Sequence, residues 1–172
     1  MRFRLRVIGS VLVLGLLGMA LWAMPTGAAP LAYVTDLRSN TVSVIDTATN
    51  TVVATVPVGS SPRQVHITPD GTLAYVANGV SNTVSVIDTA TNTVVATVPV
   101  GIAPVHVAIT PDGTHAYVAN NLSDTVSVLA TATNTVVATI PVGLVPQGIA
   151  VNPWTNTVYV ANSAPSMAGR CQ

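Results

Sequence analysis

The stretch TVSVIDTATNTVVATVPVG occupies residues 41–59 and is repeated letter for letter at residues 83–101. A third copy, TVSVLATATNTVVATIPVG, follows at residues 125–143. A second motif, YV followed by Ala or Thr and by Asn or Asp, begins at Tyr33, Tyr75, Tyr117 and Tyr159. Both motifs keep a step of 42 residues without insertion or deletion, so one unit builds most of the chain.

Each unit contains four short runs of β-branched residues, separated by Gly, Asn, Asp and Pro. In the second unit the runs are PRQVHITP (62–69), LAYVAN (73–78), TVSVID (83–88) and TVVATVPV (93–100). Such runs are typical of strands bounded by turns. No stretch beyond residue 30 shows sustained helical periodicity with caps. The sequence therefore predicts an all-β fold with four antiparallel strands per unit.

A unit of about 40 to 45 residues with four strands is the length of one β-propeller blade. Residues 31–58 supply three strands, residues 62–100 and 104–142 supply four each, and residues 146–162 supply two. The prediction is a partial propeller of about 3.25 blades, whereas closed propellers have about four to eight. Three arrangements stay open: completion of the first blade within an assembly, a truncated remnant of a longer propeller, and a short open arc.

A β-solenoid with rungs of about 21 residues would also stack repeats without closing a ring. The two halves of each 42-residue unit are unlike, however, because the PDGT and GxxP motifs each occur once per unit. The propeller is therefore the favoured architecture.

The turns of the unit carry their own signals. In TPDGT, Pro69 and Asp70 suit a type I turn, and Gly71 can take a positive φ. The fourth copy reads NPWTNT, so we expect a turn of different shape there. Asp46 and Asp88 precede TATN and are expected to bond the turn backbone, whereas the third copy has Ala at this position.

The charge of the chain argues against a nucleic-acid partner. Charged residues are 7% of the 172 residues, and every acid is Asp and every base is Arg. Three of the six arginines lie in the first six residues, and the rest of the chain has a formal net charge of −3. A weakly acidic chain without a basic cluster lacks the electrostatic footprint of a nucleic-acid-binding protein.

The N-terminus has the layout of a secretory signal peptide. Basic MRFRLR precedes the uncharged run VIGSVLVLGLLGMALWAM, and PTGAAP offers small residues for cleavage. We expect residues 1–29 to be a signal peptide, with an uncleaved anchor as the alternative and membrane contact only in that case. Residues 31–162 are then the extracytoplasmic repeats and 163–172 an off-pattern tail. The single cysteine, Cys171, lies in that tail and predicts no internal disulfide.

The wording of the unit resembles the YVTN family of β-propeller repeats. The resemblance is carried by TPDGTLAYVANGVSNTVSVIDTATNTVVATVPVG at residues 68–101 and its copy at 110–143, and it covers about residues 31–162. It implies that the PxxVxITP strand is innermost in each blade and that TVVATVPV is outermost. It also implies a cell-surface or secreted protein, often one without known catalysis.

Few residues are suited to catalysis or metal binding. His66 and His106 lie on predicted inner strands, which line the channel of a propeller, but two histidines without a third ligand are weak support for a metal site. The aspartates sit mostly in turns and are held a blade apart, which argues against a converging acid and base. We therefore predict no catalytic residues, no metal and no cofactor.

The loops that differ between copies mark the candidate binding surface. They are SSPRQ, IAPVH and LVPQG before the inner strand, and LRSN, GVSN and NLSD after the tyrosine strand. In a propeller these two sets share one face, and variable loops on a rigid scaffold are where recognition concentrates. The candidate ligand-facing residues are Arg38, Arg63, Gln64, His66, His106 and Gln147.

Three functional hypotheses follow. The first is a non-enzymatic binding or structural scaffold at the cell surface or in the secreted fraction, with a protein or cell-envelope ligand. The second is a propeller-type enzyme or a redox or metal accessory, either lactonase-like or quinone-linked. The third is a truncated remnant without independent function. Self-association that completes the propeller is compatible with the incomplete first blade.

Overall fold

The computed structural model describes residues 30–163, which form 13 β-strands and no helix. The predicted signal peptide and nearly all of the predicted tail lie outside these residues. The strands of the first half are β1 (Leu31–Asp36), β2 (Thr41–Asp46), β3 (Thr51–Pro57), β4 (Pro62–Ile67), β5 (Leu73–Asn78), β6 (Thr83–Asp88) and β7 (Thr93–Pro99). Those of the second half are β8 (Pro104–Ile109), β9 (His115–Asn120), β10 (Thr125–Ala130), β11 (Thr135–Pro141), β12 (Pro146–Val151) and β13 (Val158–Asn162).

The strands form four antiparallel sheets, which we call blades I to IV. Blade I is β1-β2-β3, blade II is β4-β5-β6-β7, blade III is β8-β9-β10-β11 and blade IV is β12-β13. Strand pairing repeats from blade to blade, with Leu73 opposite Asp88 in blade II and His115 opposite Ala130 in blade III. The predicted all-β partial propeller, with its count of three, four, four and two strands, is confirmed.

The predicted order of strands within a blade is also confirmed. Strand β8 packs against both β4 and β12, whereas the outer strands β3, β7 and β11 touch one another little. The PxxVxITP strands are therefore innermost, near the axis around which the blades are arranged, and the TVVATVPV strands lie at the periphery.

The apolar core lies between blades. Val42 and Val44 of blade I pack with Val76 and Ile87 of blade II, and all four side chains are fully buried. The same alternation of valine and isoleucine recurs between blades II and III. Because a pleated strand points successive side chains to opposite faces, the TVSVID run serves both neighbouring blades at once. This double role explains why the sequence of the run is nearly invariant.

A tyrosine and an asparagine tie blade I to blade II and blade II to blade III. The Tyr33 hydroxyl donates to Asn92 Oδ1 at 3.2 Å, and the Tyr75 hydroxyl donates to Asn134 Oδ1 at 2.6 Å. Each asparagine closes a TATN turn with a positive φ, 53° at both Asn92 and Asn134. Asparagine tolerates this left-handed conformation better than most residues. The two most repeated motifs of the sequence therefore meet across the blade boundary.

The connections lie on two faces. One, the variable face, carries the β1–β2, β3–β4, β5–β6, β7–β8, β9–β10 and β11–β12 loops. The other, the constant face, carries the turns with the PDGT and TATN motifs. Backbone and hydroxyl contacts join loops within each face, as in Gly79 N to Ser61 O on the variable face and Thr89 Oγ1 to Gly71 O on the constant face.

The predicted turns are present. Gly71 has φ of 74°, and its N–H donates to Thr68 O at 2.8 Å. The turn of blade IV does differ, because the left-handed residue moves to Asn156, whose N–H donates to Asn152 O four positions back at 3.0 Å. Within residues 30–163 no helix is available to cross a membrane.

Candidate functional site

The six candidate residues fall into two groups. The exposed group lies at the variable face, with Arg38 in the β1–β2 loop, Arg63 on β4 and Gln147 on β12. The other group is partly buried on inner strands and faces the next blade; it consists of Gln64, His66 and His106. The structure thus separates these residues into a surface set and a set between blades.

Gln64 and His106 perform the same task one blade apart. Gln64 Oε1 accepts a hydrogen bond from Val107 N–H at 2.7 Å. His106 Nδ1 accepts one from Ile149 N–H at 3.4 Å. Each side chain binds the inner strand of the following blade 43 residues ahead. His106 therefore joins the inner strands of blades III and IV. Its neutral form, with the proton on Nε2, can accept this hydrogen bond.

His66 is bound to the same neighbouring strand. Its Nδ1 lies 3.2 Å from Val107 O, which can only accept, so Nδ1 carries the proton and Nε2 is an acceptor. Burial lowers the pKa of His106, and the nearby His66 lowers it further. Burial disfavours the charged imidazolium, so His106 is kept neutral between the inner strands.

Arg38 and Arg63 are the only cations in residues 30–163, and both lie on the variable face. The Arg63 side chain passes beside Gly79, with Nε 3.3 Å from where a Cβ would stand. The Arg63 carbonyl accepts a hydrogen bond from Thr35 Oγ1 at 3.0 Å, which links blades I and II. The backbone of Arg63 is thus part of the scaffold, while its exposed guanidinium is available to a ligand.

The aspartates of the constant face belong to turns, as predicted. Asp112 Oδ1 accepts hydrogen bonds from Thr110 Oγ1 and from Thr114 N–H and Oγ1, which lower its pKa to about 2. Asp70 makes the matching set one blade earlier and also has a lowered pKa. A cavity of about 330 Å³ opens between these turns. Its two carboxylates stay ionised and bonded to their own turns, which does not suit them to proton transfer.

Asp46 and Asp88 behave as the sequence predicts. Asp88 Oδ1 accepts hydrogen bonds from the backbone N–H of Ala90 and Thr91 at 3.0 and 2.8 Å, which lowers its pKa. Asp46 Oδ1 likewise accepts hydrogen bonds from the backbone N–H of Ala48 and Thr49 at 2.7 and 3.2 Å. Among residues 30–163 no group of three or more His, Cys, Asp or Glu is placed to hold a metal.

The sequence did not lead us to predict a set of side-chain hydrogen bonds that join neighbouring loops on the variable face. Asn82 Oδ1 accepts from Ala103 N–H at 2.9 Å, and Asp124 Oδ1 accepts from Val145 N–H at 2.7 Å. Ala103 and Val145 have φ of 53° and 54°, which is unusual for residues with a Cβ and more so for β-branched valine. The signal available in the sequence was an Asn or Asp repeated every 42 residues before the TVSV strand.

We also did not predict the buried asparagine at the end of the YVAN motif in blades II and III. Asn78 is fully buried, and its Nδ2 donates to Thr83 Oγ1 and Ser85 Oγ at 3.1 and 2.9 Å. A Cβ at Gly59 would lie 2.6 Å from Asn78 Nδ2. The glycine that ends the first repeat is therefore required by the asparagine of the next blade. These residues are structural.

A family model described as "Lactonase, 7-bladed beta-propeller" matches residues 24–166. The chain belongs to this lactonase family. The match agrees with the propeller fold described above. It shows a propeller family, as the resemblance to YVTN repeats implied, while the YVTN type itself stays a prediction. No curated protein matches the chain.

Solved propellers resemble the chain over most of its length. Hydrazine synthase from Kuenenia stuttgartiensis is 26% identical with a TM-score of 0.76, over 79% of this chain and 40% of that one. The dihydro-heme d1 dehydrogenase NirN is 23% identical with a TM-score of 0.69, over 77% of this chain and 30% of that one. A Bacteroides uniformis protein assigned as a 6-phosphogluconolactonase is 17% identical with a TM-score of 0.68, over 77% and 44%.

The chain spans less than half the length of each of these solved chains. The latter two, at 23% and 17% identity, share the fold alone. Their names describe three different chemistries on one architecture, and function resides in sites rather than folds. The function of this chain therefore has to be argued from its own inner strands and loops.

Proposed function

We propose that this lactonase-family chain is a non-enzymatic binding scaffold of the YVTN type that works outside the cytoplasm. One observation carries the proposal: both histidines on the inner strands use Nδ1 to bind the backbone of the next blade. At the position of His106, blade II achieves the same bond with Gln64, a residue that cannot act as an acid or base. The polar residues nearest the axis thus serve blade-to-blade packing.

The variable face is the proposed binding surface. It carries both arginines of residues 30–163, Arg38 and Arg63, together with Asp36, Asp124 and the exposed Gln147, so its formal net charge is 0. Within residues 30–163 the constant face carries Asp46, Asp70, Asp88 and Asp112 and no arginine, and is therefore the more negative of the two faces. An anionic component of the cell envelope, or a protein with an acidic patch, fits the variable face and is repelled by the opposite one.

Binding of the purified chain to isolated cell envelopes tests this proposal. We expect saturable binding that weakens at high salt and falls severalfold in the double variant Arg38→Ala, Arg63→Ala. The control is Trp154→Ala, which removes a side chain 89% exposed on the constant face and should leave binding unchanged. Equal loss in both variants, or binding that does not saturate, would contradict a site on the variable face.

Lactone hydrolysis is the second candidate, favoured by the family match. Because His66 Nδ1 is the donor to Val107 O, Nε2 is left as an acceptor that could take a proton from water. A 6-phosphogluconolactone hydrolysis assay on wild type and on His66→Ala distinguishes the two. The scaffold proposal expects the background rate for both; turnover by wild type that His66→Ala abolishes would replace it with the enzyme.

Export and independent function can be checked together. We propose that residues 1–29 direct secretion, so expression with the natural N-terminus should yield an extracytoplasmic protein whose mass lacks this segment. An uncleaved mass in the membrane fraction would support an anchor instead. Rapid proteolysis or aggregation of the exported chain would favour a remnant without independent function.

A further inference from the structure

Every blade boundary inside the chain joins two kinds of surface. The tail flank of a blade faces the next blade and carries the tyrosine of YV and the last branched residue of TVVATV or TVVATI. The head flank faces the preceding blade and carries the valine of YV and the asparagine of TATN. Blade I meets blade II through these flanks, and blade II meets blade III through the same positions.

The last tail flanks of the described residues are open. Val56 and Val98, on the tail flanks of blades I and II, are 3% and 5% exposed, whereas the equivalent Ile140 of blade III is 44% exposed. Tyr75 is fully buried, whereas Tyr159 of blade IV is 61% exposed. These apolar side chains have the same place in the repeat as core residues and lack the neighbour that would cover them.

The head flank of blade I, the first blade of the described residues, is also exposed. Val76 and Val118 are fully buried against the preceding blade, whereas the equivalent Val34 of blade I is 49% exposed. The two open flanks also carry an asparagine and a tyrosine at the positions that are hydrogen-bonded to each other inside the chain. Asn50 adopts φ of 54°, as Asn92 does at 53°, yet within residues 30–163 its side chain receives no tyrosine hydroxyl. The hydroxyl of Tyr159 likewise has no hydrogen-bond partner in this part of the chain.

We propose that a second copy of this chain docks head to tail, with the head flank of blade I of one copy against the tail flank of blade IV of the other. The identity of residues 41–59 with 83–101 supports this occupant, because the head flank that docks is nearly the one that blade II already presents to blade I. Val34 would then pack beside Tyr159, as Val76 lies in one cluster with Tyr33, and Tyr159 would donate to Asn50 of the second copy, as Tyr33 does to Asn92. The contact joins unlike surfaces.

A pair of variants tests the proposal. Val34→Asp places a charge on the head flank of blade I only, and Tyr159→Asp places one on the tail flank of blade IV only; both positions are exposed, so each variant should fold. Tyr159→Ser is a second, milder tail variant. The control is Val53→Asp, because Val53 is 53% exposed and its equivalent Val95 in blade II is also 53% exposed, so neighbouring blades do not cover this position.

Masses from light scattering or sedimentation over a wide concentration range decide the matter. We expect wild type and Val53→Asp to associate, and Val34→Asp and Tyr159→Asp each to be monomeric. An equimolar mixture of these two should form a one-to-one dimer, since the tail of the first and the head of the second are both intact. A monomeric wild type, which is expected if residues 1–29 or 164–172 cover the flanks, would overturn the proposal. So would a mixture that stays monomeric, because this would indicate contact between like surfaces.

Discussion

At the scale of single residues, position 106 shows how one bond can be made by two kinds of side chain. Gln64 and His106 are equivalent in the repeat and both accept an N–H from the next inner strand. An amide oxygen accepts at any pH, whereas an imidazole accepts only when it is neutral. The junction between blades III and IV is therefore sensitive to pH in a way that the junction between blades II and III is not.

We expect His106→Gln to remove an acid-dependent part of the unfolding free energy. The folded pKa of His106 is below the ordinary value of 6.5, so the unfolded chain binds more protons and stability falls as pH drops below about 6.5. The hydrogen bond lost on protonation is worth about 0.5–1.5 kcal/mol. Thermal or urea unfolding of both proteins from pH 8 to pH 5 measures the difference.

The matched control for this prediction is Gln64→His. It places an imidazole between blades II and III, where the wild type has an amide. This variant should show an additional acid-dependent loss of stability at that junction. The aspartates titrate alike in all three proteins and cancel in the comparison. Parallel stability curves for wild type and His106→Gln would mean that His106 is not held as an acceptor.

Some residues were predictable and others were not, for a physical reason. The Asx bonds of Asp46 and Asp88 join residues within three positions, and local sequence is enough to place them. The need for Gly59 arises from Asn78, a residue of the next blade. A contact between blades depends on how they pack, and no local signal in the sequence reports it.

At the scale of the element, the blade tolerates one defective turn. Ala130 replaces the aspartate that precedes TATN, yet Asn134 N–H still donates to Ala130 O at 2.9 Å, as Asn92 N–H does to Asp88 O at 2.8 Å. The backbone therefore keeps its shape without the side-chain acceptor. The strands on either side are sufficient to hold the turn, and the side-chain hydrogen bonds of the turn residues only add to its stability.

We therefore expect Ala130→Asp to raise the Tm of the chain by a few degrees. The new carboxylate would meet backbone N–H groups already in position, as Asp88 meets those of Ala90 and Thr91. The gain should disappear in acid once the carboxylate is protonated. Differential scanning calorimetry at neutral and acid pH measures it, with Ala130→Leu as a similar-sized control without an acceptor; a gain shared by both variants would implicate packing instead.

At the scale of the whole molecule, the 42-residue period predicted the blade and its four strands, and the strand count of each blade follows from the turn motifs. The candidate site was predicted less well. The placement of Arg38, Arg63 and Gln147 at the variable face follows from the strand order. That Gln64, His66 and His106 would bind the next blade does not, because sequence shows which strand a side chain is on but not what its neighbour presents.

Cohesion between blades should be measurable as a coupling energy. Tyr75→Phe removes the hydroxyl that binds Asn134 Oδ1, and Asn134→Gly removes the acceptor while allowing the positive φ. We expect a coupling free energy of about 1 kcal/mol from the double-mutant cycle, measured by urea unfolding.

The control is Tyr159→Phe, whose hydroxyl has no hydrogen-bond partner within residues 30–163 and which should change stability little under conditions where the chain is monomeric. Additive effects of Tyr75→Phe and Asn134→Gly would show that this hydrogen bond does not hold blades II and III together.

The identity of residues 41–59 and 83–101 also bears on how the chain reaches its fold. Strand β2 could pair with β7 as well as with β3, because β7 has the sequence of β3. The native hairpin closes a loop of four residues, 47–50, whereas the exchanged pairing closes 46 residues, 47–92. Loop-closure entropy favours the native pairing by about 2 kcal/mol. Accurate folding therefore depends on the shortness of the TATN turn, since the side chains of the two copies cannot tell one partner from the other.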